Sequence, residues 1–499
     1  MDTRTAPSTN LVPLGIPGLD DVLGGGIPAD RVYLVEGDPG AGKTTLALQF
    51  LLDGRGRGER GLYVTLSETT EELRAVAHSH GWNLDGIHLT ELATAEASLS
   101  ADAENTMFYP SEVELSQVTE RVLRDVESLR PARVVFDSLS ELRMMAQNPL
   151  RYRRQILALK QFFVGRHCTV LLLDDRSAGD NDIQVQSIVH GVIGLELRTP
   201  DYGIMQRRLQ ILKLRGRAYR PGYHDFVIVT GGLRVFPRLV AAEHTTPYAP
   251  SLVPSGVPEL DALMGGGLDR GTSTLIVGPA GSGKSTFATQ YAVHVAQKGE
   301  RAAMFLFDES PRTLCERAKG LGMPVATLLD QALVGMRQVD PGELSVGELV
   351  QLVRDEVEKH ASRLIVIDSL NGYLNAIPDE RFLTLQLHEL LSYLSQRGVT
   401  SILVMAQSGM VGQMIAPVDA SYLADSVILL RYFEAFGEVR QAISVLKRRG
   451  GRHERTVREF RFGNRGIRIG DPLSEFQGVL TGVPTYTGDE GPLLGRKVQ

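Results

Sequence analysis

Two stretches of this chain have the residue types and spacing that hold phosphate: "GDPGAGKTT", Gly37 to Thr45, and "GPAGSGKST", Gly278 to Thr286. Each spells G-x-x-x-x-G-K-[ST], a glycine-rich loop whose backbone N–H groups can close on phosphate oxygens. In that pattern Lys43 and Lys284 reach the terminal phosphates, and the Thr44 and Ser285 hydroxyls hold Mg2+. Gly37, Gly40, Ala41, Gly42 and Thr45 supply the rest of the first cradle, and Gly278, Gly281, Ser282, Gly283 and Thr286 the rest of the second. A carboxylate at the end of a neighbouring strand completes such a magnesium shell, and Asp137 in "VVFD" and Asp368 in "IVID" hold that place. Hydrolysis also needs a group that orients or deprotonates water. Glu68, after Ser67, and the pair Asp308 and Glu309 follow the next apolar run in each copy. The expected chemistry is binding of a nucleotide's terminal phosphates with Mg2+, and their hydrolysis. The competing reading of the acidic pairs is a capping cluster at a helix start.

The elements that must position these residues are written twice. "LGIPGLDDVLGGGIPADRVYLVEGDPGAGKTTLALQF" and "SGVPELDALMGGGLDRGTSTLIVGPAGSGKSTFATQY" align without a gap from Gly15 and Gly256 through both loops. Short apolar runs such as "VYLVEG", "LYVTL", "RVVFD" and "TVLLLDD" predict buried strands, while "TTLALQFLLDG" and "VELSQVTERVLRDVESL" predict helices. Buried strands alternating with helices imply an α/β fold: a pair of tandem domains, each a mainly parallel sheet covered by helices on both faces. The expected boundaries are a tail 1–13, a first domain 14–240, a linker 241–254, a second domain 255–473 and a terminal segment 474–499.

Length and composition agree with that plan. The chain has 499 residues, enough for two α/β domains, with 43% hydrophobic and 22% charged residues. A net charge of −6 argues against binding nucleic acid by bulk electrostatics. Two cysteines, Cys168 and Cys315, exclude a disulfide framework or a cysteine zinc site. The N-terminus "MDTRTAPSTNLVP" has no apolar signal region and no apolar run approaches a membrane span, so a cytoplasmic protein is expected.

These residues resemble the KaiC-like ATPases, a two-domain branch of the RecA-type fold, from Leu14 to about Tyr486. The likeness includes the "GGG" ahead of each first strand, both phosphate loops, the acidic pairs and the stretch "DSVILLRYFE…KRRGGRHERTVREF". It implies a homo-hexamer of two rings with ATP between neighbouring subunits. It also implies that Lys213 and Arg215 in "LKLRG", and Lys447, Arg449 and His453 in and after "LKRRG", reach the nucleotide of the next subunit as fingers in trans. A KaiB-like or histidine-kinase signalling partner follows from the same likeness. The family's oscillator member phosphorylates adjacent Ser and Thr residues in its second ring. Here "DASYLADSVILL" offers Ser421 as acceptor and Tyr422 in place of the other. Further departures are Ser67 where a first glutamate is usual, Leu321 in place of an aromatic near the adenine, and a short tail. The resemblance therefore implies a relative of the clock protein.

Two other functions fit the residues. A DNA-handling ATPase of the same fold could use the basic stretch Arg440, Lys447, Arg448, Arg449, Arg452, Arg455, Arg458 and Arg461 on phosphates. A slowly turning-over, nucleotide-loaded scaffold would suit the missing carboxylate at Ser67.

Overall fold

The computed structural model describes residues 10–92, 110–146, 148–176, 182–199, 204–375, 380–407, 422–464, 466–481 and 485–487. The chain separates into two compact units, Met1–Arg238 and Leu239–Gln499.

In the first unit the strands of the main sheet are β1 (Val32–Gly37), β2 (Gly61–Thr65), β3 (Ile87–Glu91), β4 (Arg133–Asp137), β5 (Thr169–Asp175), β6 (Gly191–Arg198), β7 (Gln206–Leu214), β8 (Tyr223–Val229) and β9 (Gly232–Phe236). They form one sheet in the order β3-β2-β4-β5-β1-β6-β7-β8-β9. The strands from β3 to β6 in that order run parallel, and β7, β8 and β9 continue as antiparallel neighbours. Helices α1 (Lys43–Gly56), α2 (Thr70–Ser79), α3 (Pro110–Leu129), α4 (Leu139–Ala146), α5 (Pro149–Phe163) and α6 (Asp182–Ile188) accompany the parallel part. All of β1 is buried, as a central strand with helices on both faces must be. One core packs Leu46 and Phe50 of α1 against Tyr63, and another packs Ile156 and Phe163 of α5 against Leu62 and Val64.

The second unit repeats the plan. Its strands are β10 (Ser273–Gly278), β11 (Ala302–Leu306), β12 (Val334–Gln338), β13 (Leu364–Asp368), β14 (Thr400–Ala406), β15 (Ser426–Ala435), β16 (Glu438–Arg448), β17 (Val457–Gly463) and β18 (Gly466–Pro472). The order β12-β11-β13-β14-β10-β15-β16-β17-β18 matches the first sheet place for place. Its helices include α7 (Lys284–Gln297), α8 (Pro311–Gly320), α9 (Val325–Asp330), α10 (Val346–Glu358), α11 (Leu370–Asn375) and α12 (Glu380–Gln396). The stretch 241–254 packs on this unit: the Ala241 amide donates to Glu389 of α12, Thr245 bonds Gln396, and Tyr248 lies against Gly398.

Local chemistry sets the helix starts near the phosphate loops. Thr69 and Glu72 form a reciprocal capping box at α2, and Ser310 caps α8 with Pro311 in its first turn. Each such cap stabilises its helix by about 1 kcal/mol. The hairpins beyond the parallel strands carry matching bulges. Val192 pairs Lys213 while Ile193 pairs Ile211, so Leu212 is the extra residue; Val427 pairs Lys447 while Ile428 pairs Val445, which leaves Leu446. A bulge of this kind re-aims the side chains beside it.

Candidate nucleotide sites

Both loops run from the carboxyl end of the central strand into a helix, where α/β sheets hold ligands. The glycine before each lysine sits where any other residue is strained and crowded. Gly42 has φ 105° and Gly283 φ 96°; a Cβ would meet Ile228 at 2.7 Å in the first loop and Phe462 at 2.2 Å in the second. These side chains, from β8 and β17, occupy the space a Cβ would need.

In the first site Lys43 donates to the Gly37 and Asp38 carbonyls at 2.9 and 3.0 Å and pairs with Asp175 at 2.6 Å. Asp137 ends β4, buried, and accepts a 2.5 Å hydrogen bond from the Tyr63 hydroxyl and another bond from Thr44. Burial pushes its carboxyl up, more than those bonds and Lys43 pull it down. Glu68 is fixed by its backbone, whose N–H and C=O both bond the Thr65 hydroxyl. Its Oε2 is buried without a hydrogen-bond partner. Burial raises its pKa first, and the negative charges of Asp137 and Glu72 add to that.

In the second site Lys284 is buried and donates to the Pro279 carbonyl at 2.6 Å. Burial lowers its ammonium to about 8 against the opposing pull of Asp368 and Asp308. Asp368 ends β13 and hydrogen-bonds Ser285, with its own pKa raised by burial. Asp308 accepts from the Ser369 hydroxyl, and Glu309 pairs with Arg317 at 2.7 Å. Ser282 within the loop has a buried hydroxyl with no partner. The loop residues Gly37, Gly40, Ala41, Gly42, Thr45, Gly278, Gly281, Gly283 and Thr286 all lie at the strand–helix junctions. Helix capping falls to Thr69 and Ser310, so Glu68, Asp308 and Glu309 stand outside the caps and beside the strand-end aspartates.

The basic strand ends lie just beyond the bulges. Lys213 donates to the carbonyls of Gln186, Ser187 and Val189, and Arg215 to Ser187, so both cations face the carbonyl end of α6 together with Lys160, which donates to Ile188. Lys447 donates to the Ala424 carbonyl, and Arg449 bonds Asp425 and the Tyr422 carbonyl. His453 is half-buried between β16 and β17. Ser421 lies outside the described residues.

Four residues of the first site, Tyr63, Asp175, Asp174 and Glu36, belong to no motif in the sequence. Tyr63 reaches Asp137 across the β2–β4 pair, and Asp175 reaches Lys43 across β1–β5. Asp174, beside it, is buried and held by Arg143 and Ser140, and Glu36 is buried and bonded by Gln186. For the three carboxylates the signal lay in the contrast of "VEGD" and "LLDD" with "IVGP" and "LVMA", the stretches that match in register: the second copy has no carboxylate there.

A cation of magnesium type fits both sites. Each offers one hydroxyl already bonded to one strand-end carboxylate, with the remaining positions left to phosphate and water, the usual arrangement for this ion. Among the described residues no group of three or more His, Cys, Asp or Glu could hold a metal by itself. No described helix is long and apolar enough to cross a membrane.

A glycine loop at a helix start, a lysine behind it and a hydroxyl–carboxylate pair on the neighbouring strand define a P-loop nucleotide-binding protein, with two RecA-like domains in tandem. Comparison with known proteins narrows this further: the family described as "ATPase: KaiC" matches residues 12–240 and 253–474, and the chain belongs to that KaiC family. The circadian clock oscillator protein KaiC of Thermostichus vulcanus is 28% identical over 511 residues, covering 99% of this chain and 95% of that protein. Its counterpart in Synechococcus elongatus is 29% identical over 492 residues, covering 97% and 94%. The circadian clock protein KaiC3 of Synechocystis is 28% identical over 490 residues, covering 95% and 94%.

Proposed function

We propose that this protein is an Mg2+-dependent ATPase that assembles as a double-ring homo-hexamer, with a serine autokinase step in the second ring, and acts in signalling or circadian-type timing. The observation that carries it is the doubled pairing behind the phosphate lysines, Thr44 with Asp137 and Ser285 with Asp368. Mg2+, when bound, neutralises charge on the terminal phosphates. Lys43 and Lys284 hold those phosphates, and the loop amides orient them. Glu68 in the first site, and Asp308 or Glu309 in the second, accept a proton from the attacking water as the terminal phosphoryl leaves ADP. Lys213, Arg215, Lys447, Arg449 and His453 serve the neighbouring subunit's nucleotide.

For the kinase step, the Ser421 hydroxyl replaces water: its oxygen bonds the γ-phosphorus, the bond to the β-phosphate oxygen breaks, and its proton passes to Asp308 or Glu309. Arg449 bonds the carbonyl of the next residue, Tyr422, which gives the acceptor segment an anchor beside a basic strand end. The DNA-handling reading loses support because half of the basic stretch is paired within its own unit. Arg440, Arg448, Arg458 and Arg461 pair with Glu438 and Glu459, Asp269, Glu454, and Glu459 respectively.

The test is turnover and phosphopeptide mapping of the intact chain with Mg-ATP. Phosphate is expected on Ser421, lost in Lys284→Ala and kept in Lys43→Ala, with ATP hydrolysis abolished only in the double variant. Absence of hydrolysis in the wild-type chain overturns the enzyme reading. Hydrolysis without phosphoserine removes the kinase step alone.

A further inference from the structure

The two sites differ behind the strand-end aspartate. At the position on β2 that faces Val135, two residues short of Asp137, the first unit carries Tyr63; at the matching position on β11, facing Val366, the second carries Met304. Both side chains are buried in the core beneath the loop helix, with Leu46 and Phe50 around Tyr63, and Phe287 and Ala288 in the cluster of Met304. Only the tyrosine brings a polar atom there. Its hydroxyl donates to Asp137 at 2.5 Å and bonds Thr44, so one buried group ties together the carboxylate and the hydroxyl of the first site. In the second site Asp368 and Ser285 bond each other with no third partner from that position.

We propose that Tyr63 is a positioning residue for the first site's cation, a brace on Asp137 and Thr44 that lets this site hold metal–nucleotide at lower free Mg2+ than the second. The inference rests on the nucleotide reading given above. A carboxylate desolvated at a strand end can rotate, and each rotation moves the oxygens it would offer a cation. The fixed Tyr63 donor on Oδ2 removes that freedom, at the cost of a buried phenol that needs its acceptor. The donor also offsets the burial of the carboxylate's charge. Because Tyr63 stands on the middle of a buried strand, the brace moves only if the sheet does.

The competing role is plain packing, in which Asp137 merely satisfies a phenol that fills the core. The two roles part on metal dependence. In the full-length Lys284→Ala chain, which leaves the first site, Mn2+ binding is followed by electron paramagnetic resonance with a saturating non-hydrolysable ATP analogue. The analogue's affinity is measured separately in EDTA. Tyr63→Phe keeps the ring and removes the donor; it is expected to raise the Mn2+ dissociation constant about tenfold, with the metal-free affinity unchanged. Tyr63→Met copies the second unit's side chain and should act alike, which guards against a folding fault peculiar to one variant. Unchanged Mn2+ affinity in both variants, or an equal loss with and without metal, overturns the brace. If the Lys284→Ala parent holds no analogue at all, the nucleotide reading of the first site falls and this inference falls with it.

Discussion

Lys284 is the residue whose environment makes the sharpest demand on solution conditions. Burial depresses its ammonium to about 8, so the free protein loses that charge as pH rises through this value. A bound polyphosphate favours the protonated form, and binding above about 8 must therefore take up a proton. The sign follows: affinity at the second site falls with rising pH, by about tenfold between pH 7 and pH 9 if Lys284 alone titrates. Equilibrium binding of a non-hydrolysable ATP analogue to the Lys43→Ala chain measures it, and a flat profile would contradict the burial of this lysine. Residue identities in the loops were legible because the pattern is local and contiguous. The partners Tyr63 and Asp175 were not, because parallel strand neighbours come from distant parts of the chain and only the sheet register brings them to Asp137 and Lys43. The acidic pairs were legible as candidates and ambiguous with helix caps; Thr69 and Ser310, one or two residues on, turned out to hold the capping role.

The loop–helix junction is where element geometry governs the site. Gly283 combines a positive φ with a Phe462 ring already against it, and that ring packs edge-on with Phe287 and Phe460. Adding a methyl group there must push back a ring wedged in an aromatic cluster, and must also hold an unfavourable backbone conformation. Gly283→Ala should destabilise the second unit by about 1–3 kcal/mol, seen by calorimetry as a lower transition for that unit alone. Gly42→Ala meets the more pliable Ile228 chain and should cost less. An undisturbed transition in Gly283→Ala would mean the loop relaxes away from β17. At this scale the order of strands and helices was readable from apolar periodicity. The bulges at Leu212 and Leu446 were not, since an extra residue in a hairpin leaves no mark on the alternation until its partner strand is known.

For the molecule as a whole, duplication offers two sites that can be tuned apart, and the acidic pairs are one place where they differ. The first unit has exposed Ser67 followed by Glu68, whose buried Oε2 has no hydrogen-bond partner; the second has Asp308 held by Ser369 and Glu309 held by Arg317. One carboxylate near the water should turn ATP over more slowly than two, since a positioned base contributes about 10² to 10⁴ in rate. A slow first site remains loaded, and nucleotide bound at a subunit interface adds roughly 2.7 kcal/mol to assembly at a hundredfold excess over Kd. In the double ring proposed above, the first ring would then hold the assembly while the second works. Exchanging the one differing side chain tests this without touching either lysine. At protein concentrations that keep each variant assembled, as the phosphorylation assay also requires, Asp308→Ser should slow single-site turnover in the Lys43→Ala chain and Ser67→Asp should speed it in the Lys284→Ala chain, and native mass spectrometry on dilution should show the hexamer weakened far more by Lys43→Ala than by Lys284→Ala. If turnover follows neither exchange, the division of labour lies elsewhere than in these carboxylates. If the ring instead depends on Lys284, the two rings have the opposite roles.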